Sequence, residues 1–195
     1  MEDRNTYVIT CSYWNINWDA FRRRDYSTSG RVYRTLEVSK NATLKELENA
    51  IMTAFALPVE YSLSFMKSLG AYSGTLLSED SKKKLTFSEA YGFDFSNIRR
   101  DLSVEVTLNL ELQSGKTIGM RVGEMELECS KVIHRDNPKT VLLESKGGEV
   151  YQAEYSNEEV QNRFDDILKL RGIYQEDKEL YRSIAEGEKK LDEVK

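Results

Sequence analysis

Proline is almost absent from this chain: two residues in 195, beside eleven glycines. So little of either argues against a disordered or low-complexity protein. Cysteine is equally scarce. Cys11 and Cys129 form at most one disulfide and no framework of them, and each sits among apolar or alternating residues, where a reduced, buried thiol is the expectation. There is no CxxC pair, so the usual zinc spacing is missing. No apolar run approaches the roughly 18 residues of a membrane span, and the N-terminus, MEDRNTYVIT, has no signal-type apolar region. The expectation is a cytoplasmic protein with no membrane partner. The phosphate loops GxGxxG and GxxxxGK[ST] are absent, so no nucleotide-type cofactor is implied by motif, and no other cofactor or metal is called for. The single histidine, His134, stands in HRDNP. With no Gly-rich loop or DFG to support it, this is read as an exposed loop histidine and not as part of a kinase-type catalytic loop.

What is present reads as an ordinary globular chain. Hydrophobic residues make up 39% and charged residues 31%, enough for a sizeable core. The net charge of −5 argues against non-specific coating of nucleic acid. Charge is uneven, however. Residues 1–40 carry seven Lys and Arg against five Asp and Glu, whereas residues 144–195 carry nine against fourteen. The front is mildly basic and the tail acidic.

Tyr7, Ile9, Cys11 and Tyr13 alternate with Val8, Thr10 and Ser12, an interior strand by composition and period. A loop over 15–30 ends in Ser27-Thr28-Ser29-Gly30, and a second strand begins at Val32, with Leu36 and Val38 facing the core. Thr43 and Glu46 then form a capping box for a helix whose apolar stripe is Leu44, Leu47, Ile51, Met52 and Phe55. Pro58 stops it. Tyr61, Leu63 and Phe65 form a third strand. Residues 67–84 read as loop, with SEDSKKK a solvated charge run, and Thr86 and Glu89 suggest a second capping box. Leu102 to Leu112 alternate cleanly with polar residues, the mark of an antiparallel sheet with one wet face. After a turn at Ser114-Gly115, apolar parity changes across Gly123, where a turn or bulge is expected. Strands are expected at 140–145 and 149–155 around Gly147-Gly148. A helix runs from an Asn157 cap to Gly172, and a thinner amphipathic helix covers 175–195. The fold expected is α+β: a mostly antiparallel sheet, one early helix packed on it, and a C-terminal helical pair. The organisation expected is a sheet domain over 1–156 and a helical extension over 157–195.

The stretch RVYRTLEVSKNATLKELENAIMTAFALPVEYSLSF resembles the plasmid open-reading-frame-three-like family, small proteins carried on plasmids, transposons and related elements. Tyr33-Arg34 stand at the family's aromatic-Arg pair. Leu36 and Val38 stand in its strand, Thr43-Leu44 at its helix start, and Ser64-Phe65 at the close of its next strand. The resemblance covers roughly residues 5–66. The chain departs from the family at Tyr61, where a His is common. It departs again at Gly92-Phe93-Asp94-Phe95-Ser96-Asn97, where the family has Asp-Phe-Gly-Asp and a following Trp. The resemblance implies the fold and a setting on a mobile element or in a phage-like region.

The candidate chemistry lies upstream of that helix. Trp14, Trp18, Phe21, Arg22, Arg23, Arg24 and Tyr26 fall within thirteen residues, and Arg31, Tyr33 and Arg34 follow. Guanidinium forks grip phosphates and aromatic faces stack on bases. The ligand-binding residues expected are Trp14, Trp18, Arg22, Arg23, Arg24 and Arg34, taking a nucleotide or nucleic acid through residues 14–34. The alternative for this stretch is a surface loop whose Arg residues pair with Asp19, Asp25 and Glu37. Glu124, Glu126 and Glu128 share one strand face and read as solvated. Residues 173–195 are expected to engage a protein partner or a second copy. The function expected is a non-enzymatic binding or regulatory accessory protein that captures an anionic ligand or partner. The alternatives are an enzyme acting on a nucleotide or phosphorylated substrate, and a structural oligomeric subunit.

Overall fold

The computed structural model of the chain describes residues 4–15, 31–67, 78–91, 102–150 and 153–192. Within them the order is β1 (Thr6–Asn15), β2 (Val32–Ser39), α1 (Leu44–Ala54), β3 (Tyr61–Lys67), α2 (Glu79–Lys84), α3 (Phe87–Tyr91), β4 (Leu102–Glu111), β5 (Thr117–Ile133), β6 (Val141–Lys146), α4 (Asn157–Glu176) and α5 (Lys178–Asp192). The six strands form one sheet in the order β3-β4-β5-β1-β2-β6, and every pairing is antiparallel. The chain is therefore α+β with a C-terminal helical pair.

Period-two alternation explains the layers. Tyr7, Ile9, Cys11 and Tyr13 of β1 point to the helix-covered face with Leu36, Val104, Met125 and Leu127, all nearly inaccessible. Thr10, Ser12 and Trp14 point the other way. Burial pushes the Cys11 thiol well above its ordinary value, so it is an inert core residue, and both cysteines are free. α1 lays its stripe on the sheet, held at its start by the Thr43–Glu46 box: the Glu46 amide donates to Thr43 Oγ1 at 3.2 Å and the Thr43 amide to Glu46 Oε2 at 2.7 Å. The Thr86–Glu89 box stands beside it, with Thr43 and Thr86 bridged across the two caps. α4 joins the same core through Val160, Phe164 and Ile167.

Four expectations are corrected or refined. The charge run 78–84 is not solvated loop: it forms α2, and Lys82 is buried. At Gly123, of the turn or bulge expected, the irregularity in register is present and the turn is not. β5 runs through it as a single strand of 17 residues, with the register against β4 shifting there. A side chain at this position would collide with the Tyr13 ring. No strand forms over the described residues of 149–155. Gly147 and Gly148 adopt φ of +82° and +80° and turn the chain off the sheet toward α4. Finally, α4 is capped by Ser156 and passes Gly172 to Glu176, because Arg171 anchors that turn in the core.

Gly147 also meets the backbone of the segment leading into β2, where an added Cβ would lie 2.5 Å from the Arg31 carbonyl oxygen. Gly148 has nothing within 4 Å. Gly148→Ala therefore carries only the left-handed strain, about 1 kcal/mol. Gly147→Ala adds a backbone collision and is expected to cost about 3 kcal/mol. Urea unfolding of the two variants should show that order.

Candidate functional site

β1 ends and β2 begins on neighbouring strands, with Tyr13 opposite Val32, so both ends of the intervening segment meet on one patch. On the open face of the sheet, the one that no described helix covers, the Arg31 guanidinium lies over the Trp14 ring, 5.0 Å from its centroid. Arg31 Nη1 is 3.5 Å from Glu126 Oε2. A cleft of about 360 Å³ opens beside them, lined by Thr10, Ser12, Arg31, Tyr33, Glu126, Leu127 and Glu128. Register assembles it: Ser12 stands between Tyr33 and Glu126, and Thr10 between Thr35 and Glu128. The Thr10 and Thr35 hydroxyls are 3.3 Å apart. Tyr33 keeps 37% of its surface exposed and forms a flat apolar wall. Ser12 is 7% exposed, and its Oγ has no hydrogen-bond partner among the described residues.

The rest of this face is acidic. Glu105, Glu124 and Glu128 stand on it with Glu126, and Glu144 with them near β6. Arg121 pairs with Glu105 at 2.9 Å and also with Glu124, and Lys146 pairs with Glu144 at 2.8 Å. The carboxylate row 124–128 is thus a solvated, partly paired strand face. No group of three or more His, Cys, Asp or Glu side chains among the described residues is arranged to hold a metal.

Of the residues expected to bind a ligand, Trp14 does not line the cleft but stacks on Arg31 beside it, and Trp18, Arg22, Arg23 and Arg24 lie outside the described residues. Arg34 is not at the cleft, which corrects the expectation for it. One residue past Tyr33, strand parity sends its side chain to the opposite, helix-covered face, where it is 1% exposed. All five N–H groups are used. Nε donates to the Ala54 carbonyl at 2.8 Å; Nη1 donates to Tyr33 and Lys146 carbonyls at 2.7 and 3.0 Å; Nη2 donates to the Gly148 carbonyl at 2.8 Å and to Asn157 Oδ1. The Phe55 ring is 5.3 Å away. Burial pushes the guanidinium down to about 10, opposed by Glu149, so it stays charged at neutral pH. Arg34 is a tie between β2, α1, the end of β6 and the start of α4, with no donor left for an anion.

A second ionic cluster sits at the β3 edge. The Glu48 carboxylate, on a residue 1% exposed, accepts from the Leu63 amide at 2.7 Å, from Lys45 Nζ at 3.2 Å and from Lys82 Nζ at 3.1 and 3.3 Å. Glu79 completes it, 2.7 Å from Lys45 and 3.3 Å from Lys82. Two lysines and two glutamates compensate one another, so this cluster is a structural lock. His134 is exposed, 3.4 Å from Asp136, at the end of β5 that pairs with Thr6, far along the sheet from the cleft.

Thr10, Ser12 and Glu126 are not among the binding residues expected from the sequence. Alternation does put Ser12 and Thr10 on the wet face with Trp14, but their meeting with Glu126 depends on β5, more than 110 positions later in the chain.

No protein-family model and no curated protein matches the chain. Among solved structures it is similar to a protein of unknown function from Methanosarcina mazei Go1, at 13% identity and a TM-score of 0.47, over 88% of this chain and 86% of that one.

Proposed function

We propose that this is a non-enzymatic binding or regulatory protein that captures a small anionic ligand of nucleotide type at the open face, where β1 leaves the sheet and β2 re-enters it. One observation carries the reading: the Trp14–Arg31 stack beside the cleft walled by Tyr33, at the two ends of the segment that holds Trp18, Arg22, Arg23 and Arg24. Stacked aromatics and guanidinium groups recognise a base and a phosphate together. The acidic remainder of the face favours a mononucleotide over a long strand, whose phosphates would cross Glu105, Glu124 and Glu128. The accessory role on a mobile element rests on the resemblance of residues 5–66.

Trp14 and Trp18 are the two tryptophans of the chain, so intrinsic fluorescence reports on this region. Titration with nucleoside triphosphates, single-stranded DNA and RNA at low and high salt should give a quench by the nucleotides that salt weakens. Replacing Arg22, Arg23 and Arg24 by Ala together should weaken it by about tenfold or more. A flat signal with every ligand removes this reading.

A second reading, assembly with another copy through α5, is favoured by Leu180, which is 48% exposed while α5 packs on α4 through Tyr181 against Tyr174 at 5.2 Å. Light scattering should then show a dimer that Leu180→Glu dissociates; a monomer at all concentrations removes it.

A further inference from the structure

We infer that the cleft between Tyr33 and Glu126 is a diol pocket that reads the ribose of the captured nucleotide. This inference rests on the nucleotide reading above and adds which part of the ligand enters the described cleft.

Among the described residues Arg31 is the one cation lining the cleft, and it is already engaged by Glu126 at 3.5 Å, while Glu128 adds a second carboxylate. A bare phosphate placed here would meet more negative than positive charge. The uncharged part of the ligand belongs here, and the phosphates belong outside. The lining then specifies hydrogen-bond type. A carboxylate only accepts, a guanidinium only donates, and the hydroxyls of Thr10 and Ser12 do both. A group that both donates and accepts at adjacent positions satisfies such a wall, and a vicinal diol does so with two oxygens on one carboxylate. Acidic side chains on ribose hydroxyls are an established solution in other nucleotide sites.

Ser12 supplies an independent observation. Its Oγ is buried and makes no hydrogen bond among the described residues. Native folds rarely leave a hydroxyl in that state without a reason. Its neighbours across the strands are Tyr33 on one side and Glu126 on the other, so a group that satisfies it enters between them. Tyr33, with its ring partly exposed, presents an apolar face against which a sugar or base lies flat.

The test is calorimetric titration of the full chain with paired ribonucleoside and 2′-deoxyribonucleoside 5′-triphosphates of all four bases, with D-ribose alone as a further arm. The ribo form is expected to bind about tenfold tighter than its deoxy partner, a difference of one lost hydrogen-bonded hydroxyl. Glu126→Gln and Ser12→Ala, both on the open face and checked for unchanged circular dichroism, should each shrink that ratio toward one. Equal affinities for ribo and deoxy forms overturn the diol pocket and leave the nucleotide reading standing. A ratio that survives both substitutions also overturns it, because the hydroxyl is then read elsewhere. Silence from every nucleotide with measurable ribose binding keeps the pocket and sinks the nucleotide reading. Silence from both overturns both.

Discussion

Arg34→Met should cost about 4 kcal/mol or more and leave the protein close to unfolding at ambient temperature. Methionine fills much of the volume but returns none of the five hydrogen bonds. Four carbonyls, those of Tyr33, Ala54, Lys146 and Gly148, and the Asn157 amide oxygen lose a donor, the Ala54 bond fully buried and the other four partly so. Each buried acceptor left unpaired costs about 1–3 kcal/mol, less whatever a partner strand already supplies to it. Arg34→Lys keeps the charge, but three donors on a rounded head cannot replace a planar fork aimed at five oxygens, so it should fall between wild type and Met. Urea unfolding followed by circular dichroism gives the order. A Met variant within 1 kcal/mol of wild type would show that the tie contributes little. If Arg34 instead met a ligand, Arg34→Lys would change affinity and leave the midpoint where it was.

Removing the anion at the centre of the second cluster should be nearly as severe. Glu48→Gln leaves Lys45 and Lys82, 7% and 6% exposed, sharing Glu79 as their one remaining carboxylate among the described residues. Breaking a buried ion pair from one side costs about 3–5 kcal/mol because the stranded charge has no water to return to. The sign of a second substitution discriminates this from lost packing. Adding Lys82→Met to Glu48→Gln removes one stranded charge and leaves Lys45 with Glu79 at 2.7 Å, so the double variant should be more stable than the single one. Were the double variant worse, packing and not charge would govern the site.

The same cluster predicts a direction with pH. Burial alone would raise the Glu79 carboxyl, but the hydrogen bond from Lys45 and the charges of Lys82 and Lys45 outweigh it and hold the group below its ordinary value. Glu37 is held low by the hydrogen bond from Arg135. A carboxyl lowered on folding contributes stability that is present above its unfolded value, about 4.3 for Glu, and is lost as pH falls through the folded one. The unfolding midpoint should therefore be level from neutrality to about pH 5 and drop below about pH 4. Glu79→Gln and Glu37→Gln should each make that drop shallower.

These results bear on what could be read from the chain alone. α1 was legible because its signals are local: the Thr43–Glu46 box and the stripe from Leu44 to Phe55 lie within thirteen residues. The alternation of 102–112 was equally plain. Arg34 was misplaced because the chemistry of arginine drew it to the loop, although period two already aligned it with Val32, Leu36 and Val38. Lys82 read as solvent-facing because its partner Glu48 lies 34 positions away and no window of sequence joins them. That the described residues after Gly148 form no strand has the same origin. Two glycines signal a hairpin, but Arg34 and the Ala56 carbonyl, which accepts from the Glu154 amide at 2.7 Å, take the backbone partners elsewhere. The cleft was half legible: its aromatic and basic end is contiguous in sequence, and its hydroxyl and carboxylate end is assembled by register.

The place of β1 at the middle of the sheet bears on the protein's synthesis. β1 leaves the ribosome before every other strand of the sheet, yet one of its two neighbours is β5, whose pairing residues are 123–133. At about 5–20 residues per second, translation takes on the order of ten seconds to deliver that partner. Through that interval the nascent chain can form the β1–β2 hairpin and seat α1, but Tyr7, Ile9, Cys11 and Tyr13 lack half of their cover and one ladder of β1 stays open. The yield of folded protein should therefore depend on elongation rate and on holdase supply more than the stability of the finished sheet would suggest, and chains truncated before residue 123 should be the aggregating species.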